Sequence, residues 1–238
     1  SFINPLLLLL IYTFVFAYIM PGRFEDETPT RFASADPYAL FLFCGILPWT
    51  WFSSSLLESS NVLIAGGNLI KKVMFPAEAL PIVVVLSHLV HFALALPILL
   101  AALLIAAALG KVLITPLILL APVLMLIQTA FVVGIALVVS SASVLFRDLR
   151  DLVANFLQLG FFLTPIIYLL TEFSSKPLQL ALRINPMTPF VLAYQSIFYW
   201  GALPPATDII LMCAYALASL ATGLTVFDRL RDTLAEAI

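Results

Sequence analysis

The chain has 238 residues, 63% of them hydrophobic and 10% charged, with a formal net charge of -2 and a mean hydropathy of +1.14. A soluble globular domain carries about 25% charged residues, so this composition excludes one and describes a polytopic membrane protein. The few charges sit in short loops, where their placement matters more than their sum.

Phe2 to Met20 is a nineteen-residue apolar run, and at about 1.5 Å per residue it reaches close to the ~30 Å of a bilayer's hydrocarbon. It is read as span 1. Ser1 stands directly before it with no basic leader and no small-residue cleavage site, so a signal peptide is not expected and a natural N-terminal segment is expected to precede it. Pro21-Gly22 ends the span, and a polar loop follows through Asp36. Span 2 is read from Tyr38 to Leu57, with Pro48 between Leu47 and Trp49 predicting a kinked or broken helix. Glu58 stands at its far end. In the segment 59–81, Gly66-Gly67 breaks the chain, Asn68 can cap a helix, and Leu69 to Phe75 supplies about two turns of a short surface helix.

Span 3 runs from about Ile82 to Leu109, longer than a bilayer requires, with Pro97 inside it. Gly110-Lys111 is a minimal turn. Span 4, about Leu113 to Val139, has Pro116 and Pro122 near its start and the polar pair Gln128-Thr129 at mid-depth. Next comes Phe146-Arg147-Asp148-Leu149-Arg150-Asp151. Each unpaired charge at mid-bilayer would cost at least ~2.5 kcal/mol, so this knot must be a turn at a water interface. Span 5 follows from about Leu152 to Leu170, with Asn155 and Gln158 three apart.

Between spans 5 and 6 the pattern is irregular. Lys176 to Ile184 reads as one short helix, Asn185-Pro186-Met187-Thr188-Pro189 as a break, and Phe190 to Trp200 as a second apolar helix. Eleven residues reach only ~16 Å, so a re-entrant or interfacial hairpin is predicted. Span 6 is about Ile209 to Phe227, and the tail is charged and amphipathic. The fold class is therefore all-α integral membrane: six spans in one domain, 1–238, with a short helix between spans 2 and 3 and the hairpin between spans 5 and 6. Six spans place Lys71, Lys72, Arg147, Arg150, Arg229 and Arg231 on one side, and Arg23, Arg31, Lys111, Lys176 and Arg183 on the other. Six cations against five favours the first side as cytoplasmic.

Cys44 and Cys213 fall inside apolar runs, where a thiol packs as a small hydrophobe. His88 and His91 have no cysteine near them in sequence, and no metal site is expected. The chain holds no G-x-x-x-x-G-K-[ST], nucleophile elbow or H-E-x-x-H. His88 and His91 share a helix face and could relay protons or simply pack. Glu58 could touch substrate or pair with Lys71 or Lys72. The aromatic clusters Trp49, Trp51 and Phe52, Phe161-Phe162, and Tyr194 to Trp200 could stack on the flat apolar faces of sugar rings or form a lipid-facing belt. Lys71-Lys72 with Phe75 suits docking into a groove on a soluble protein, or snorkelling to anionic headgroups.

The order of these parts resembles the type-2 ABC exporter permease family, in the branch that exports lipid-linked O-antigen, capsular polysaccharide or teichoic acid. The resemblance is carried by Leu47-Pro48-Trp49 through Asn61, Lys71-Lys72 to Pro76, Phe146-Arg147-Asp148 with Asn155 and Thr164-Pro165-Ile166, and Asn185-Pro186-Met187 to Tyr194. It implies a homodimer of permeases forming a conduit, with two ATP-binding cassette subunits beneath that bind ATP and Mg, so that this chain holds no cofactor and is not itself an enzyme. It further implies an ATPase-coupling element at Asn68, Lys71, Lys72 and Phe75, and an external gate at Asn185, Pro186, Pro189, Tyr194, Tyr199 and Trp200. Trp49, Trp51, Phe52, Phe161 and Phe162 are the expected glycan contacts, while Arg147, Asp148, Arg150 and Asp151 form a structural cytoplasmic turn. The expected setting is the bacterial cytoplasmic (inner) membrane, with membrane lipid and lipid-linked glycan as partners and no nucleic acid. The alternatives are a type-2 permease for a drug or small lipid, and a membrane transferase acting on a polyprenyl carrier through His88, His91 and Glu58.

Overall fold

The computed structural model describes residues 35–67, 76–146, 148–170 and 175–237, together with Leu7, Leu10, Ile11 and Phe14; of 35–37 and 232–237 it describes the backbone alone. Most of span 1, the loop after it, the coupling residues Asn68, Lys71, Lys72 and Phe75, and Arg147 lie outside the described residues. Every regular element among those described is helical. In chain order they are α1 (Ala35–Ala65), α2 (Ala79–Ala108), a 3-10 turn (Pro116–Leu120) leading into α3 (Ala121–Leu145), and α4 (Leu149–Leu163). Then come α5 (Lys176–Ile184), α6 (Thr188–Gln195) continued by a π-helical turn (Ser196–Trp200), and α7 (Ala206–Ala237).

Among the described residues, four stretches are long and apolar enough to cross a bilayer: Tyr38–Ala65, Ala79–Ala108, Pro116–Leu145 and Ala206–Arg231. They correspond to the expected spans 2, 3, 4 and 6. The helix α1 runs unbroken through Pro48 and on to Ala65, beyond the predicted end at Leu57. It is the centre of the molecule, with every residue from Tyr38 to Trp49 buried. A helix enclosed on all sides needs no polar stripe, which is why its pattern is apolar throughout. Against it, α2 is fixed by Trp51, whose Nε1 donates to the Val85 carbonyl at 3.3 Å and whose ring stacks on Phe92 at 5.2 Å.

The backbones of α3 and α7 come into direct contact. A Cβ on Gly134 would overlap the Ser219–Leu220 peptide, and one on Gly223 would overlap the backbone of Gly134. Small residues at the crossing let the backbones meet, the usual solution where lipid offers no hydrophobic drive for helix association. The Ser219 hydroxyl donates across the same contact to the Phe131 carbonyl at 3.1 Å.

Two expected boundaries move. The charged turn is shorter than predicted: α3 ends at Leu145 and α4 starts at Leu149, so Arg150 and Asp151 lie in the first turn of α4. An acidic residue there suits the positive end of the helix dipole. At its other end α4 stops at Leu163, not Leu170. Its fifteen residues reach only about 22 Å, and the chain continues non-helically from Thr164, because Pro165 has no N–H to extend the ladder.

The hairpin divides into an outer and an inner helix. α5 has the predicted bounds and buries only Leu182. In α6 seven of eight residues are buried, from Thr188 to Gln195. The hairpin ends at Gly201, whose φ of +58° is a left-handed conformation that favours glycine. A Cβ there would come within 2.9 Å of Thr115, so the end of the hairpin sits beside the start of α3.

Candidate conduit groove

A groove of about 420 Å³ opens between α1 and α4, within the ~300–1,000 Å³ usual for ligand sites. On α1 it is lined by Trp49, Ser53, Ser54 and Leu57, and on α4 by Ala154, Leu157, Gln158, Phe161 and Phe162. The spacings follow from the helix: residues four apart stack on one face, so Trp49, Ser53 and Leu57 form one wall and Ala154, Gln158 and Phe162 the other. Gly160 sets the width, because a Cβ there would stand 3.0 Å from the Trp49 ring.

Trp49 meets Phe161 edge-on at 6.0 Å, and Phe161 meets Phe162 edge-on at 5.5 Å. Phe162 is 59% exposed. The other two aromatic residues predicted for this site lie elsewhere. Trp51 is bound to α2, and Phe52 stacks on Phe131 at 5.8 Å, which in turn stacks on Phe190 of α6 at 4.9 Å. Both support the wall from behind without lining it. Ser53, Ser54, Leu57, Ala154 and Leu157 were not singled out from the sequence, although steps of four forward from Trp49 reach Ser53 and Leu57, and steps of four back from Phe161 and Phe162 reach Leu157 and Ala154.

At its far end α4 is fastened by side chains from three elements. Asn185 Nδ2 donates to the Thr164 hydroxyl oxygen at 2.8 Å, Gln195 Nε2 to the Pro165 carbonyl at 3.2 Å, and the Tyr38 hydroxyl to the Ile167 carbonyl at 2.6 Å. Gln195 and Tyr38 thus meet carbonyls that a continuing helix would have satisfied, while Asn185 holds the Thr164 side chain. Asn185 also accepts from the Met187 amide at 3.0 Å through Oδ1, closing the break before α6. Of the other predicted gate residues, Pro186 is exposed and Pro189 lies buried in the first turn of α6. Tyr194 is fully buried, stacked on Phe198 at 6.2 Å and edge-on to Phe92 at 5.5 Å. Tyr199 meets Phe41 at 5.6 Å and Trp200 at 4.7 Å, both edge-on.

Glu58 contacts His88, its Oε2 2.8 Å from Nε2, and the His88 ring meets His91 edge-on at 5.8 Å. The expected lysine partners of Glu58 lie outside the described residues. Among the described residues no group of three metal-binding side chains occurs. Asp148, Arg150 and Asp151 are exposed.

With this geometry, the protein-family comparison matches the ABC-2 type transporter model over residues 1–199. The chain belongs to the ABC-2 type transporter family. Among curated proteins it is similar to the O-antigen export system permease protein RfbA of Myxococcus xanthus, with 33% identity over 244 residues covering all of this chain and 86% of that protein. It is also similar to two proteins of the same description from Klebsiella pneumoniae, with 29% and 28% identity over 252 residues, again covering all of this chain and 86% of each. An ABC-2 chain with four bilayer-length apolar helices among its described residues is a multi-pass membrane permease, a transport component.

Proposed function

We propose that this chain is the permease subunit of an ATP-driven polysaccharide exporter in the bacterial cytoplasmic membrane, moving an undecaprenyl-linked glycan of the O-antigen kind. The observation that carries the reading is the groove between α1 and α4, where the rings of Trp49, Phe161 and Phe162 stand beside the hydroxyls of Ser53 and Ser54 and the amide of Gln158. Rings offer flat surfaces to the C–H faces of sugars, and the polar groups accept and donate to their hydroxyls. Neither surface holds a sugar tightly, so a long glycan can slide. The names of the curated relatives support the same substrate class.

In this reading the permease pairs with an ATP-binding subunit, two permeases face each other across their α1–α4 grooves, and two ATPases holding ATP and Mg drive them. The element at Asn68, Lys71, Lys72 and Phe75 receives the ATPase. The chain crosses the membrane six times, with the apolar run Phe2 to Met20 as the first crossing and α4 plus Thr164–Leu170 as the fifth. Asn185, Pro186, Pro189, Tyr194, Tyr199 and Trp200 belong to an external gate built from α5 and α6, which opens when the hold of Asn185 and Gln195 on Thr164 and Pro165 is released.

One export assay separates the parts. Trp49→Ala with Phe161→Ala should lower surface polysaccharide about two- to tenfold per ring removed, corresponding to ~0.5–1.5 kcal/mol for each aromatic contact, while the ATPase still co-purifies. Lys71→Glu with Lys72→Glu should abolish both export and co-purification. Unchanged export by the aromatic pair would refute the groove as the glycan path, and normal co-purification by the lysine pair would refute the docking element.

A further inference from the structure

Among the described residues, the lining of the groove contains no charged side chain: its polar groups are the hydroxyls of Ser53 and Ser54, the amide of Gln158 and the indole N–H of Trp49. The sequence extends this beyond the groove. Residues 1–20, 38–57 and 152–170, the three segments read as spans 1, 2 and 5, contain no Lys, Arg, His, Asp or Glu. Among the described residues, the first charges met toward the end of α1 and the start of α4 do not form a cation site. Glu58 on α1 is an anion already engaged by His88 at 2.8 Å, and α4 carries one charge of each sign, Arg150 and Asp151.

We infer that the groove is selective for uncharged sugars, so that this exporter passes a neutral glycan and rejects uronate- or phosphate-bearing repeats. This rests on the reading of the groove as the glycan path. An anion that leaves water for an apolar groove loses part of its hydration, and a fixed positive charge is what best offsets that loss. Two hydroxyls, one amide and one indole N–H can exchange hydrogen bonds with sugar hydroxyls one for one, but they bring no positive charge to balance a carboxylate. A polyanion would meet this penalty at every repeat, whereas the diphosphate of a lipid carrier meets it once per chain. Aromatic rings add to the discrimination, since their negative faces attract C–H groups and repel anions.

The test is ATP-driven uptake into inverted membrane vesicles from cells making the permease with its ATPase. Two lipid-linked oligosaccharides are compared, identical except that one hexose in the second is its uronic acid. At neutral pH the hexose form should enter about tenfold faster or more, the order expected from one uncompensated charge. Methyl esterification of the uronate should restore the faster rate with no change to the protein. Gln158→Arg, or Ser54→Lys if that variant fails to reach the membrane, should narrow or reverse the preference. Equal uptake of the hexose and uronate forms would overturn the selectivity, as would a methyl ester that stays as slow as the acid. If Trp49→Ala with Phe161→Ala leaves uptake of the hexose form unchanged, the fault lies in the glycan-path reading itself.

Discussion

Gln195 and Glu58 show how differently two polar side chains of one membrane protein contribute. Gln195 is 1% exposed and its amide holds the Pro165 carbonyl at 3.2 Å, a group that no helix ladder satisfies. Replacing it by leucine leaves that carbonyl buried and unpaired, which costs ~1–3 kcal/mol. The Glu58 carboxylate is 61% exposed even though it lies 2.8 Å from His88, and exposed pairs contribute below ~1 kcal/mol. In thermal unfolding of the purified protein, Gln195→Leu should therefore lower the melting temperature clearly more than Glu58→Gln. The reverse order would refute the assignment of the α4 terminus to this hydrogen bond. The sequence showed where polar residues stand at mid-depth, since Gln128-Thr129 interrupts an apolar run, but not what they bind. Gln128 Nε2 donates to the Pro48 carbonyl at 3.0 Å, eighty positions away along the chain, and local spacing carries no information about such a partner.

At the scale of elements, an apolar run of bilayer length is a strong pattern, and the helices α1, α2, α3 and α7 stand where such runs occur. The pattern fails for α4 because hydropathy continues to Leu170 while the helix stops at Leu163. Thr164-Pro165 was visible as the local cause; its consequence, a fastened non-helical stretch, depends on Tyr38, Asn185 and Gln195 converging from distant elements. The groove was half legible for a similar reason. Trp49, Phe161 and Phe162 were picked out by their chemistry, but choosing them over Trp51 and Phe52 requires knowing that α2 and α3 occupy the other side of α1. The α3–α7 crossing gives the sharpest element-level prediction. Gly134→Val would force the backbones of α3 and α7 apart where they touch at Gly134 and Ser219. Overpacking typically costs ~1–3 kcal/mol, and here rigid backbone must yield. The variant should melt well below wild type, while Gly110→Ala, with nothing near its Cβ direction but a φ of +72°, should cost only the ~1 kcal/mol of local strain. Equal melting temperatures for Gly134→Val and wild type would show that the two helices do not meet as described.

For the whole molecule the open matter is how the chain returns across the membrane between Asp148 and α7 when α4 is only fifteen residues long. Two contacts bear on it. Gly201 lies against Thr115 and Leu113 at the start of the α3 region, and α3 carries the chain from there to Leu145, beside Asp148. The thirty residues of Pro116–Leu145 correspond to about 45 Å of helix, so Asp148 and Gly201 stand at opposite ends of the molecule. Residues 149–200 therefore lead from one end of the molecule to the other, and in the six-span reading α4 makes most of the crossing and the Thr164–Leu170 stretch completes it. From Ala206, α7 then runs back beside α3 in the same direction, as the contacts of Phe131 with Ser219 and of Gly134 with Gly223 require. Single cysteines read this topology directly. In a background of Cys44→Ala and Cys213→Ala, Thr30→Cys and Leu203→Cys should react with a membrane-impermeant maleimide from outside intact cells. Asp148→Cys and Arg231→Cys should react only after permeabilisation, because three helices separate Thr30 from Asp148 and the α4 crossing separates Asp148 from Leu203. Labelling of Asp148→Cys and Leu203→Cys from the same face would mean that α4 with Thr164–Leu170 does not cross. The sides assigned to α7 and to the α5–α6 gate would then have to be exchanged.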